Sequence, residues 1–305
     1  MLDCTTERIY PSSVRDVGHE NAFYDFDEST KTTGGVPHPE LQETERILSK
    51  IDDIQAARIR DILIAANKPE IDGFSVALRW LCSPAFFQFF RTPATRDALL
   101  KIQQLGVQSI VDKLCEANFP DIAVGRRPTA SIPSENTTVL HANFMFDNQR
   151  RLEWSSALLP QTWYLGYARE NLGFVCSDNP VVRSAAVCDV ERRIELRGMG
   201  QFGASHFWPL DRKHLLVVRD RDFFEEERSL DGTVVQIPDD FINEINLLQV
   251  RNCKRFIYGN EVDFDPILRW LRSDEGVEER SKPTVEVQHT WIGERRSRIE
   301  VRSHR

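Results

Sequence analysis

The chain has no long apolar run. Its longest, such as Ile62 to Ala66 and Leu215 to Val218, fall far short of the roughly 18 residues a membrane helix needs. The N-terminus lacks a basic stretch followed by an apolar one, so no secretory leader is expected. Cysteine is sparse: six in 305 residues, at 4, 82, 115, 176, 188 and 253. No two stand at Cys-x-x-Cys spacing, which excludes a local zinc ribbon or redox motif, and a disulfide scaffold would be denser in a shorter chain. The expectation is thiols in a reducing, cytoplasmic setting, with Cys82, Cys115 and Cys176 as small core hydrophobes. No glycine-rich phosphate loop follows a strand; Gly198, Gly200 and Gly203 lack the dinucleotide spacing. The seven histidines show no helical i, i+4 pair.

What is present is a 41% hydrophobic chain, enough for a sizeable core, with a net charge of −8. That charge argues against a surface given over to nucleic acid. The exception is the C-terminal stretch, where Arg295, Arg296, Arg298, Arg302 and Arg305 outnumber Glu294 and Glu300. A nucleic-acid contact is placed there if anywhere; a solvated terminal strand is the plainer expectation.

Residues 1–39 read as an irregular leading segment, punctuated by proline and glycine. Apolar residues at helical spacing predict helices over 40–67, 71–81 and 138–159. Ser83-Pro84 and Thr92-Pro93 read as caps followed by first helical positions, the second opening a helix to about Asn118. The phenylalanines 86, 87, 89 and 90 are expected in the core. Beyond Leu159 the period becomes two. Trp163 to Tyr167 and Phe174 to Cys176 read as a β-hairpin across the 170–173 turn. Further strands are expected over 193–197 and 207–219. Pro238-Asp239-Asp240 announces a helix from Phe241 to Tyr258, Asp265-Pro266 a short one, and the last residues an alternating strand. The fold class expected is α+β: a predominantly helical N-terminal half packed with a small, mostly antiparallel sheet, then a long helix. The division expected is a single domain over 40–272 (helical over 40–159, strand-bearing over 160–237, helical over 238–272), with 273–305 as a charged tail or edge strand.

Chemistry concentrates at Ser177-Asp178-Asn179-Pro180, a polar turn leaving a buried strand. Asp and Asn side chains accept from nearby backbone amides, and proline fixes the exit, so a strand-terminating turn is the plain reading. A ligand-binding role for Ser177, Asp178 and Asn179 is the alternative. The β-lactamase type of site is rejected, because no Ser-x-x-Lys precedes this turn and Lys31-Thr32-Thr33-Gly34 lies on its wrong side. A metal-dependent nuclease would place Asp178 on one strand and Asp211-x-Lys213 on the next, with a divalent metal as cofactor. His206 is read first as a structural histidine and second as a helper in such a site. Glu20 and Tyr24 are read as pins for the leading segment, with a place in a binding site as the alternative.

Several segments together resemble the domain of unknown function 4238 family. They are Ser13-Val14 with Glu20 to Tyr24, Arg91 to Arg96, Gly173 to Val182, Phe207 to Leu210 and Ile245 to Gln249. The resemblance spans about residues 7–260. Its most specific part is Phe-x-x-Ser-Asp-Asn-Pro followed later by Pro-Leu. It implies a shared fold and a pocket around the turn, without an activity. Members usually open on a His-Tyr-Val-Pro segment, and this chain begins after that point. The resemblance therefore implies either a shortened member or a start lying upstream, and leaves open whether a site histidine is missing. Two functional expectations stand side by side: a binding or interaction module with a pocket at the turn, or a metal-dependent hydrolase or nuclease using Asp178 with Asp211 and Lys213. Partner and oligomeric state are not legible.

Overall fold

The computed structural model describes residues 1–11, 43–67, 73–122, 126–132, 134–185, 202–259, 264–281, 285–291 and 297–303. Strands β1 (Leu2–Asp3) and β2 (Arg8–Ile9) come first. Helices α1 (Glu43–Ala66), α2 (Phe74–Arg79), α3 (Cys82–Phe90), α4 (Pro93–Asn118), α5 (Ser134–Phe146) and α6 (Asn148–Leu158) follow. Next come β3 (Thr162–Tyr167), β4 (Cys176–Ser177), β5 (Val182–Ala185), β6 (Ala204–Pro209), β7 (His214–Arg219) and β8 (Val234–Gln236). Helix α7 (Asp239–Asn252), β9 (Phe256–Tyr258), α8 (Asp265–Leu271), α9 (Asp274–Ser281), β10 (Val285–Trp291) and β11 (Ser297–Ser303) complete the order. The architecture is α+β. Among the described residues every strand pair is antiparallel except β3 with β8.

The largest sheet has the order β5-β6-β7-β3-β8. On one face Trp163, Leu165, Trp208, Leu216 and Val218 pack with residues of α1–α3, α5 and α6, including Leu48, Leu78, Phe86 and Met145. On the other, Tyr164, Phe207, Leu215 and Val217 meet Ile242 and Ile245 of α7. Burial on both faces explains why 215–218 is continuously apolar rather than alternating. The phenylalanines of α3 lie in this core: Phe86 packs against Phe87, Phe90 and Trp154 with ring centroids 4.7–5.6 Å apart. A second sheet, β2-β1-β9-β4, covers a third cluster built from Leu2, Val175, Val250, Ile257 and Ile267. Helix α7 joins the two, contributing Ile245 to one cluster and Val250 to the next.

Several sequence expectations need correction. Residues 138–159 are not one helix. Asp147 leaves the helical region and caps α6, accepting from the Gln149 and Arg150 amides. Leu81, not Ser83, occupies the N-cap of α3, whereas Thr92 does cap α4 by accepting from the Thr95 amide. The expected hairpin across 170–173 does not form: β3 pairs with β7 and β8, and β4 pairs with β9 in the other sheet. Residues 207–219 are two strands, β6 and β7, folded back at Asp211. The helix opened by Pro238 stops at Asn252, and residues 256–258 form β9 instead. The C-terminal alternation becomes β10 and β11, paired only with each other in their own sheet; its register sets Val287 opposite Val301 and His289 opposite Ile299. The strand expected over 193–197 lies outside the described residues. No helix among the described residues is long and apolar enough to cross a membrane.

Candidate functional site

The Ser-Asp-Asn-Pro turn sits where both sheets and α7 meet. The chain reaches it from β3 through a tight turn held by its neighbours. Lys213 Nζ donates to the carbonyls of Arg169, Glu170 and Leu172, and the Phe174 amide donates to the Arg212 carbonyl at 2.8 Å. Gly173 is required here by space. A Cβ at this position would come within 2.7 Å of Arg212 Cγ and 3.1 Å of its carbonyl oxygen.

From Gly173 onward the strand is read by two side chains of α7. The Val175 amide donates to Asn246 Oδ1 at 2.9 Å, and Asn246 Nδ2 returns a bond to the Gly173 carbonyl at 2.9 Å. One helical turn on, Gln249 Oε1 accepts from the Ser177 amide at 3.1 Å and its hydroxyl at 2.8 Å. Gln249 Nε2 then donates to the Pro180 carbonyl at 3.0 Å. Each carboxamide offers both a donor and an acceptor, so it can stand in for a neighbouring strand. Spacing of i, i+3 puts both on one helix face. Gln249 is fully buried, which such a residue tolerates only with its polar atoms satisfied.

Asp178 faces the opposite way. Oδ1 accepts from the Lys254 amide at 2.8 Å, and Oδ2 accepts from the Arg255 amide at 2.7 Å and the Phe256 amide at 3.0 Å. Its own amide donates to the Phe256 carbonyl at 3.0 Å. Three successive N–H groups around one carboxylate make a small anion nest. Burial pushes the Asp178 carboxyl above its ordinary range, against the pull of those amides and the Lys254 charge. The same interaction ends α7: amides 254–256 turn to Asp178 rather than to helix carbonyls. Lys254 Nζ in turn pairs with Asp97 in the first turns of α4 at 2.7 Å. Within the turn, Ser177 Oγ accepts from the Asn179 amide at 3.2 Å, and the Asn179 carbonyl, 2.8 Å from Oγ, is the alternative acceptor to Gln249 for its one proton.

The remaining candidates serve other parts of the fold. Asp211 Oδ1 accepts from the amides of Lys213 and His214 at 2.6 and 2.7 Å, and its carboxylate meets His214 Nδ1 at 2.9 Å. Burial works to raise the Asp211 carboxyl, but His214 and the two amides hold it below the usual range. Asp211 therefore shapes the β6–β7 bend, and Lys213 the 169–172 turn, while Asp178 serves the 254–256 loop. His206 is buried in β6, opposite Arg183 and Val218, its ring 6.3 Å from that of Trp154. Burial, aided by the Arg183 charge, lowers its pKa to about 3, so it is neutral at ordinary pH. Glu20 and Tyr24 lie outside the described residues. Among the described residues no three His, Cys, Asp or Glu side chains group as a metal site.

Asn246 and Gln249 carry the turn, yet no site reading of the sequence singles them out. Their signal is two carboxamides three apart among the apolar positions of an amphipathic helix. The family described as "Protein of unknown function (DUF4238)" matches residues 2–263, a span that contains every element of this site. No curated protein and no solved structure matches the chain.

Proposed function

Because this chain belongs to the family of proteins of unknown function DUF4238, we propose that it is a binding module in which the Ser-Asp-Asn-Pro turn acts as an internal latch. The observation that carries this reading is the occupation of both Asp178 oxygens by the amides of Lys254, Arg255 and Phe256. A general base or metal ligand needs an oxygen within reach of the substrate or ion. Three of the roughly four acceptor positions of the Asp178 carboxylate are already taken by backbone donors, which orient it into the 254–256 loop. Asp211 and Lys213 are committed in the same way, to backbone groups of neighbouring turns.

In this reading the binding pocket lies beside the latch. Asn179 and Pro180 remain half-exposed there, and the Lys254–Asp97 ion pair brings in the start of α4. The reading takes 40–272 as one domain: the helical part 40–159, the strand part 160–237, and helices over 238–272 with α7 as the long one. Residues 1–39 lead into it and 273–305 are appended. It places the protein in the cytoplasm, where the thiols of Cys82, Cys115 and Cys176 are stable as such.

The test is a thermal-shift titration with Mg²⁺, Mn²⁺ and Zn²⁺ on the wild type and Asp178→Ala. The variant is expected to lose about 1–3 kcal/mol of stability, the cost of removing the one acceptor shared by three backbone amides, that of Phe256 partly buried. Neither protein is expected to be stabilised by a metal. Stabilisation of the wild type alone would overturn the latch reading and favour a metal-dependent hydrolase or nuclease built on Asp178, Asp211 and Lys213.

A further inference from the structure

Two cysteines meet where the two ends of the family-matched region come together. Cys4 follows β1, and Cys253 is the first residue beyond α7. Their sulfurs are 3.6 Å apart, and both side chains are buried, at 5% and 6% exposure. The backbone holds them in place independently of the thiols. β1 runs antiparallel to β9 with Leu2 opposite Ile257 and Asp3 opposite Phe256. The Cys4 amide donates to the Arg255 carbonyl at 2.7 Å, and the Arg255 guanidinium donates to the Asp3 carboxylate at 3.2 Å. A disulfide needs sulfurs about 2.05 Å apart, so closure asks for small side-chain rotations within a fixed backbone frame.

We infer that Cys4 and Cys253 form a reversible disulfide, a redox-modification site that staples the N-terminal strand to the loop held by Asp178. The oxidant is a peroxide. One thiolate attacks hydrogen peroxide, giving a sulfenic acid and water once the proton is returned. The second thiol attacks that sulfenic sulfur, the S–S bond forms, and a second water leaves. In sum, two thiols and one peroxide give one disulfide and two waters; the sulfurs lose two electrons and the peroxide oxygens gain them. Access comes by transient local opening of β1, which is two residues long, against the burial of Leu2 in the third cluster. The bond would close a loop between positions 249 apart in sequence, a long-range constraint on the unfolded chain. It uses no group of the Asp178 latch and stands independently of the binding reading.

The test treats the full chain with hydrogen peroxide, blocks remaining thiols by alkylation, and maps peptides without reduction. Cys4→Ser and Cys253→Ser are run alongside. The expected result is a peptide pair joining Cys4 to Cys253, lost on treatment with dithiothreitol. Oxidation is expected to raise Tm by several degrees in the wild type and in neither serine variant. The chain has six cysteines, so the map must assign the pair. Oxidation at other cysteines with no Cys4–Cys253 peptide overturns the inference, as does a linked peptide that leaves Tm unchanged. The wild-type map decides even if a serine variant folds poorly.

Discussion

Asp178, Asn246 and Gln249 are polar side chains committed to backbone partners, and each replaces hydrogen bonds that the chain loses where a strand ends. Buried amides without acceptors cost about 1–3 kcal/mol each, which is why such residues sit beside the turn and not on open surface. His206 is a different case. It is a buried histidine held neutral, its pKa lowered to about 3 by burial and then by the Arg183 charge. His141, fully buried with Nε2 2.6 Å from the Phe90 carbonyl, is lowered to about 4, again mainly by burial. Both are neutral in the folded and unfolded chain well above the ordinary histidine value of 6.5. Below it the unfolded chain binds protons that the folded chain resists, so stability falls as the pH drops toward the folded values. Replacing His206 with Gln removes one of these two buried histidines. Urea midpoints measured from about pH 7 to about pH 4 should therefore decline less steeply in His206→Gln. An identical slope in variant and wild type would show that His206 protonates in the folded state without strain.

Elements were misjudged from sequence wherever a single polar residue broke a continuous pattern. The apolar spacing across 138–159 is helical throughout, yet Asp147 caps a new helix in its middle. Short polar side chains compete with helix hydrogen bonds in this way, and periodicity does not register the competition. Asp147→Ala should cost about 0.5–2 kcal/mol, the usual range for a lost N-cap, read as a lower urea midpoint with an unchanged slope. A neutral result would mean that the packing of Trp154 and Leu158, both buried, sets the boundary alone. The helix after Pro238 shows the same limit from the other side. Its start was legible from Pro238 and the acidic first turn. Its end was not, because Asp178, far away in sequence, draws amides 254–256 out of the helical ladder. The expected hairpin over 163–176 failed because turn chemistry reports a bend and not which edges the flanking strands find. β3 had better partners in β7 and β8, and β4 found β9.

At the scale of the whole molecule, α7 is the shared wall of two clusters, and the C-terminal β10–β11 pair forms its own sheet, with β10 beside α4. Among the described residues its strands form ladder bonds only to each other, so the larger sheets lose none without them. A chain lacking residues 281–305 should keep its fold and stay soluble with its Tm unchanged; insoluble expression would mean that the pair covers core surface. The sequence by itself determined the α+β class, the helical spacing of α1, the Thr92 cap, the phenylalanine core of α3 and the polar turn at Ser177 to Pro180. These are local matters, set by periodicity, caps and turn residues within a few positions of one another. Only the tertiary structure decided what that turn holds. Asn246, Gln249 and amides 254–256 lie some 70–80 positions away, and Cys4 meets Cys253 across 249. Hydrogen-bond partners at that separation are chosen by how the sheets pack against α7, and no local pattern records the choice.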